Sequence, residues 1–487
     1  MRKVKKFTIF LSIILLFSTI LSSLPAGAAF TPKFALNSEA VYMVNTDTDI
    51  VVVSKNADKK LYPASTTKIM TALVSLENIK NFDAYAEMSY QAYNEFDYSS
   101  PNVNFHGVSN ADILPTQTNV TYWDLLYSMM VCSACESANL LAYNVGGRSI
   151  DNFVNMMNEK AAEIGCKNTH FSNPHGLFEE DNYTTAYDLY LITKYAIDNY
   201  PRFMEICDTY SYEMPPNEKN PDGYLITQTN QMMKSTSDYY YEGAHGVKTG
   251  SIDKYWYPDE TGAYTISENG SRALVTTAER DGFHYIIVSL NAPYFNEDGT
   301  KIEENLSFVD HINLYDWAFK DFDYTLVIKK NEQIMQVDVD KGKDADKVGL
   351  IATEDYYTLL PKSLDTSTIQ RLRPVVEMLE APVEKGIKLG DLELKLNGET
   401  LATMPLVTES YIELDMTAYY SERIQKIAST PQFMAIVILL VLLIILFIIT
   451  REIRKSHNRR VAEMNRRRKI SMSPPKKSSR NNFNRRR

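Results

Sequence analysis

Ser65 and Lys68 place a hydroxyl and an amine three residues apart in the run Ser65-Thr66-Thr67-Lys68-Ile69-Met70-Thr71-Ala72-Leu73-Val74-Ser75-Leu76-Glu77. Ile69, Leu73 and Leu76 recur at helical spacing, so the run is expected to be a helix with Ser65 as its N-cap. On a first turn, positions i and i+3 are neighbours, and the two groups share a face. A serine hydroxyl attacks poorly until a base removes its proton. A lysine can be that base where burial or a second cation lowers its pKa. The helix N-terminus adds partial positive charge where negative charge develops. The pair alone is common by chance, but two further clusters follow it. Ser133-Ala134-Cys135 comes after the apolar Leu125-Leu126-Tyr127-Ser128-Met129-Met130-Val131, and Lys248-Thr249-Gly250 comes after Gly246-Val247.

These groups need a scaffold, and the periodicities supply one. Residues 41–44 and 50–53 are β-rich runs around the turn-forming Asn45-Thr46-Asp47-Thr48-Asp49. Helices are expected over 123–145, 149–164 and 184–199, and a strand pair over 272–278 and 284–290 around Arg280-Asp281-Gly282. Helices in the middle with strands at both ends imply a layered α+β domain ending near residue 322. From 323 to 415 the pattern changes to short strand-like runs at 326–328, 334–339, 356–360, 392–396 and 401–404. Turns such as Lys341-Gly342 and Asn397-Gly398 separate them. This stretch reads as a small β-sandwich-like module with no reactive cluster.

At 487 residues the chain exceeds one ordinary core, so two or three domains are expected. Its formal charge of −10 is unevenly spread. Residues 1–29 carry four basic groups and no acid, and the tail 451–487 carries fifteen against Glu452 and Glu463. The body between them is strongly acidic and would repel phosphate backbones, which argues against nucleic-acid binding by the folded part. The basic start, the apolar run Phe7 to Leu21 and the small residues Ala26-Gly27-Ala28-Ala29 have the order of a secretory signal peptide over 1–29. Phe433 to Ile449 is apolar on every face and about 26 Å long as a helix, the lower limit for crossing a bilayer. The basic tail behind it places the acidic body outside the cell and the tail in the cytoplasm. The four cysteines have no His at ligand spacing, so neither a metal nor another cofactor is expected.

The three clusters occur in the order S-x-x-K, a serine triplet, then K-T-G, the set of penicillin-binding proteins and class A β-lactamases. Leu61-Tyr62-Pro63-Ala64-Ser65-Thr66-Thr67-Lys68-Ile69-Met70-Thr71-Ala72 resembles the nucleophile motif of the low-molecular-mass D-alanyl-D-alanine carboxypeptidases. Asn173-Pro174-His175-Gly176-Leu177 and Tyr183-Thr184-Thr185-Ala186-Tyr187-Asp188-Leu189 are similar to the same family's loop and following helix. The resemblance runs from about Ala35 to Pro293, and more loosely through 385–408. It implies a β-lactamase/DD-peptidase-like α+β catalytic domain over 30–322 and a small C-terminal β-sandwich-like domain over 323–415. A juxtamembrane linker at 416–432, one transmembrane helix at 433–450 and a basic cytoplasmic tail at 451–487 complete the expected order.

The resemblance also implies roles. Ser65 attacks the carbonyl between two terminal D-alanines of a peptidoglycan stem peptide, Lys68 is the general base, and Ser133 relays the proton to the leaving amine. Lys248 and Thr249 hold the substrate carboxylate, and the backbone N–H groups of Ser65 and Ser251 form the oxyanion hole. β-Lactam antibiotics would form the same ester. The family's middle motif is usually Ser-x-Asn; here Cys135 stands in the third position, beside the substrate amide. Ser137-Ala138-Asn139 is a literal S-x-N and the alternative register. His175 reads as a buried, hydrogen-bonded loop histidine, and Tyr255-Trp256-Tyr257 as surface packing or a stacking platform for glycan. A β-lactamase and a non-catalytic wall-binding protein are the competing functions.

Overall fold

The computed structural model describes residues 30–96, 110–252, 255–258, 264–267, 270–296 and 298–471. The expected signal peptide and the end of the basic tail lie outside these residues, as do the side chains of Tyr255-Trp256-Tyr257. The chain divides into two compact units. The first takes the described residues of Met1–Glu332, with Ala352–Pro374 and Asp391–Pro405; the second takes 333–351, 375–390 and 406–471.

The first unit is built on a five-stranded antiparallel sheet. Its strands are β1 (Ala40–Asn45), β2 (Ile50–Lys55), β3 (Ala244–Ile252), β4 (Ser271–Arg280) and β5 (Phe283–Pro293), in the order β2-β1-β5-β4-β3. The β1–β2 turn is closed by Asn45, whose Oδ1 accepts from Thr48 N and Thr48 Oγ1. Side chains alternate between the two faces of the sheet. Ile286, Val288 and Leu290 enter the main core, while Tyr285 packs on Phe319 and Ser289 bonds to His311. Phe319 and His311 belong to helix α7 (Leu306–Asp321), so helices cover both faces and β5 is buried without a break from Tyr285 to Leu290. Strand β3 is an edge, and it carries Lys248-Thr249-Gly250-Ser251.

Helix α1 (Lys68–Asn78) is buried along almost its whole length, Lys68 to Leu76, and is the central helix of the unit. Around it stand α2 (Tyr122–Val131), α3 (Cys135–Val145), α4 (Ile150–Ile164), α5 (Ala186–Asn199) and α6 (Pro201–Cys207), while α7 lies on the other face of the sheet. Thr121 and Asp124 form a capping box on α2, and Thr185 caps α5 through Asp188 N. The one long helix expected over 123–145 is broken. Ser133 has φ +65°, and Ala134 N donates back to Ser128 O at 3.1 Å, so α2 stops and α3 restarts in a new direction. A left-handed serine is strained, and such strain collects at functional sites.

Ser65 is not a helix cap, contrary to expectation. A 3₁₀ turn, Ala64–Thr67, precedes α1 and incorporates it, and neither Pro63 nor Thr67 at the two helix starts makes a side-chain cap bond. The loop 173–177 lies against this turn. Asn173 accepts from Gly176 N at 2.6 Å, and Thr71 donates to Pro174 O at 2.6 Å.

Also in the first unit, β6 (Phe322–Ile328) pairs antiparallel with β9 (Tyr356–Pro361), and β10 (Gln370–Leu372) with β12 (Lys388–Leu396). In the second unit β7 (Gln333–Asp340) pairs with β8 (Lys347–Ala352) and, in parallel, with β11 (Leu379–Glu380). The run 401–404 lies in β13 (Glu399–Thr408). The stretch expected as a linker holds a helix, α8 (Met416–Ala428), capped by Asp415 through Thr417 N and Ala418 N. Helix α9 (Pro431–Ser471) follows, and Pro431–Arg468 is long and apolar enough to cross a membrane by length and composition.

Gly176 sits at φ +80°, and a Cβ there would lie 1.9 Å from Ala64 O. Gly176→Ala should therefore cost about 2–4 kcal/mol of stability, combining left-handed strain with a backbone clash. Urea unfolding that leaves the midpoint unchanged would contradict this packing.

Candidate active site

Three elements meet at Lys68. Its Nζ lies 3.1 Å from Ser65 Oγ in the 3₁₀ turn, 3.4 Å from Cys135 Sγ at the start of α3, and donates at 2.6 Å to His175 O in the 173–177 loop. Lys68 is fully buried, whereas Ser65 keeps partial exposure. The hydroxyl is therefore reachable and the amine behind it is not. The 3₁₀ turn explains the pairing: it brings Ser65 into the helical path with its hydroxyl on Lys68 rather than on a backbone N–H.

Strand β3 closes the other side. Gly250 passes so near the turn that a Cβ on it would stand 3.1 Å from Ala64 Cβ and 3.2 Å from both Pro63 O and Ser65 N. A side chain there would push its neighbours back by a few tenths of an ångström, so glycine lets the strand pass close beside Ser65 N. Lys248 is fully buried and donates to Thr249 O at 3.0 Å, and Thr249 Oγ1 shares a 2.7 Å hydrogen bond with Thr229 Oγ1. Burial, then the charge of Lys68, pushes the Lys248 ammonium down to about 7.

Ser133 occupies the break between α2 and α3, and its hydroxyl has no hydrogen-bond partner among the described residues. Ser137, the alternative, lies inside α3 with its hydroxyl bonded to Ser128 Oγ at 2.7 Å, so it is already occupied. Cys135 is buried, and burial raises its thiol pKa against the pull of Lys68. All four cysteines are free thiols. Ser251 is exposed on β3, paired with Arg272. His175 is buried, its Nδ1 accepting from Leu177 N at 3.1 Å. Burial and the neighbouring Lys68 hold its pKa well below the ordinary value, so it is neutral.

Glu136 was not singled out from the sequence. It sits in the first turn of α3, where an acid reads as an ordinary partner of the helix dipole. In the structure it is buried, with Oε1 accepting from Ala111 N at 2.6 Å, and burial pushes its carboxyl up to about 7. The described residues contain no group of three or more His, Cys, Asp or Glu able to hold a metal.

The sequence and the fold are similar to those of known proteins. The D-alanyl-D-alanine carboxypeptidase family matches residues 27–293, and the C-terminal domain of penicillin-binding protein 5 matches residues 322–414. The chain is 27% identical over 379 residues to the D-alanyl-D-alanine carboxypeptidase DacF of Bacillus subtilis, covering 78% of this chain and 87% of that one. It is 30% identical over 302 residues to a D-alanyl-D-alanine carboxypeptidase of a Streptomyces species, covering 59% and 92%. The crystal structure of DacD from Francisella tularensis superposes with a TM-score of 0.57 at 22% identity, over 79% of this chain and 95% of that one. That structure shares the α+β catalytic domain and C-terminal β domain. The chain belongs to the D-alanyl-D-alanine carboxypeptidase family, the serine-type penicillin-binding peptidases.

Proposed function

We propose that the protein removes the terminal D-alanine from peptidoglycan stem pentapeptides through an acyl-enzyme on Ser65. The observation that carries this reading is the 3.1 Å approach of the buried Lys68 amine to the Ser65 hydroxyl. Neutral Lys68 takes the Ser65 proton as Oγ adds to the carbonyl between the two D-alanines. The oxyanion forms against the N–H groups of Ser65 and Ser251, which the close passage of Gly250 supports. The C–N bond then breaks, and Ser133 relays the proton from Lys68 to the leaving amine. Water hydrolyses the ester by the reverse sequence. Lys248 and Thr249 hold the terminal carboxylate, and a buried lysine whose ammonium is lowered to about 7 is recharged when that anion arrives.

Benzylpenicillin forms the same ester and stays on it. Mass spectrometry should find the adduct on the Ser65 peptide alone, and an adduct that survives Ser65→Ala refutes the assignment. Lys68→Ala should slow D-alanine release roughly 10²- to 10⁴-fold, the usual range for a lost general base.

Cys135 stands where the family usually has asparagine, and it already contacts Lys68. An amide there adds a hydrogen bond to the substrate worth about 0.5–1.5 kcal/mol, so Cys135→Asn should leave D-alanine release unchanged or raise it by roughly 2- to 13-fold. Ser133→Ala should cost far more than Ser137→Ala. The reverse order in the same assay would transfer the relay to Ser137.

The acidic body, the apolar run and the basic tail support a topology with residues 30 to about 430 outside the membrane, the catalytic domain at 30–322 and the β domain at 323–415 among them, and the tail 451–487 inside. Protease added to intact protoplasts should leave only a short fragment carrying the tail; full protection of the body would contradict this topology.

A further inference from the structure

A cavity of about 250 Å³ opens beside the catalytic turn and has no part in the acyl transfer just described. Lys60, Leu61 and Tyr62 form one wall, Glu180 and Tyr183 a second, and Ser271 at the start of β4 a third. Leu61 and Thr184 exchange backbone hydrogen bonds at 2.8 and 2.9 Å, which fixes the first two walls to each other. The Tyr62 ring meets Phe178 edge-on at 4.7 Å and packs against the small apolar cluster of Ala64, Phe178 and Ile252. Ala64 immediately precedes the nucleophile, so the Tyr62 wall stands against the turn that carries Ser65.

Three polar groups around this space lack the partners such groups normally have. Ser271 is 6% exposed, and it shares a face of β4 with Ala273 and Val275, which enter the main core. Its hydroxyl has no hydrogen-bond partner among the described residues, an uncommon state for a group so nearly buried. Lys60 and Glu180 are exposed, and neither side chain makes an ion pair with a described residue. The Lys60 ammonium is held instead over the Tyr183 ring, 4.2 Å from its centroid, a contact that leaves its N–H donors unused. A cation, an anion and an unused hydroxyl around one small space are complementary to a group that itself carries both charges.

We propose that this cavity is a subsite for the stem-peptide residue that precedes the two D-alanines, and that it selects a side chain ending in both an ammonium and a carboxylate. The inference rests on the acyl-enzyme reading of Ser65. With its terminal carboxylate at Lys248 and Thr249 and its scissile carbonyl at the Ser251 N–H, a peptide on the open edge of β3 runs antiparallel to that strand. Its earlier residues therefore advance past Ile252, by about 3.3 Å each. Ile252 is paired with Ser271 and packed with Ala64 and Phe178, so a side chain that leaves the peptide there meets the Tyr62 rim of the cavity. Inside, its carboxylate takes the Lys60 ammonium and the Ser271 hydroxyl, and its ammonium takes Glu180.

The test is kcat/KM for D-alanine release by the full chain in detergent micelles, from three synthetic peptides that end in D-Ala-D-Ala. They differ in the preceding residue: diaminopimelyl carries both charges on its side chain, lysyl only the ammonium, aminoadipyl only the carboxylate. Wild type should favour the diaminopimelyl peptide about tenfold over either of the others. Lys60→Gln and Ser271→Ala should each lower the diaminopimelyl-to-lysyl ratio by about 3- to 5-fold and leave the diaminopimelyl-to-aminoadipyl ratio in place. Glu180→Gln should do the opposite. Ratios taken within one variant cancel any loss of folded enzyme. Equal kcat/KM for the three peptides in wild type, or Lys60→Gln and Glu180→Gln moving both ratios alike, would overturn the subsite. If the three peptides react alike and added D-alanine raises the melting temperature of wild type but not of Lys60→Gln, the cavity belongs to a free amino acid and the proposal also falls. No release from any peptide, with no benzylpenicillin adduct on Ser65, would overturn the acyl-enzyme reading itself.

Discussion

A primary amine with no solvent contact must find acceptors inside the protein, and the site is organised around meeting that demand for Lys68. Its neighbours come from three places in the chain: Ser65 from the 3₁₀ turn, Cys135 from α3 and the His175 carbonyl from the 173–177 loop. Each is fixed by something else. The turn is held by Thr66 Oγ1 on Pro63 O, α3 by the break at Ser133, and the loop by Asn173 on Gly176 N. The lysine is thus the junction of elements that are otherwise distant in sequence.

Placing a second buried lysine on β3 makes the electrostatics of the site asymmetric. Burial first, and then the charge of Lys68, weakens the Lys248 ammonium. Two left-handed non-glycine residues, Ala64 and Ser133, flank this pair of charges. The strain and the buried charge are concentrated in one place, and the surrounding core supports them: α1 is buried from Lys68 to Leu76, and its Ile69, Met70, Leu73, Val74 and Leu76 pack into the main hydrophobic cluster of the unit.

Much of this was legible in the residues. The β1–β2 hairpin, the β4–β5 pair and the helices at Ile150–Ile164 and Ala186–Asn199 follow periodicity and turn chemistry that local sequence carries. The three motif clusters marked Ser65, Lys68 and Lys248 before any geometry was known. The break at Cys132-Ser133-Ala134 was not legible, since it contains neither glycine nor proline and helical patterns run up to it from both sides. Tertiary packing imposes the left-handed turn. The 3₁₀ extension that turns Ser65 from a cap into a partner of Lys68 is likewise invisible, because a serine before an apolar helical run looks the same in both cases. Helix α8 was hidden by its mixed composition, although Asp415 in front of it is a good capping residue. Glu136 was hidden because burial, unlike charge, is not written at a single position.

Helix α9 has a mechanical consequence. No glycine or proline interrupts it from Gln432 to Ser471, so its 41 residues form one rod roughly 60 Å long. A bilayer core takes up only about 30 Å of that length. With the apolar half seated in lipid, the basic half projects as a stiff mast. Whatever meets Ser471, at the end of the rod, does so at a stand-off of about 30 Å from the hydrocarbon.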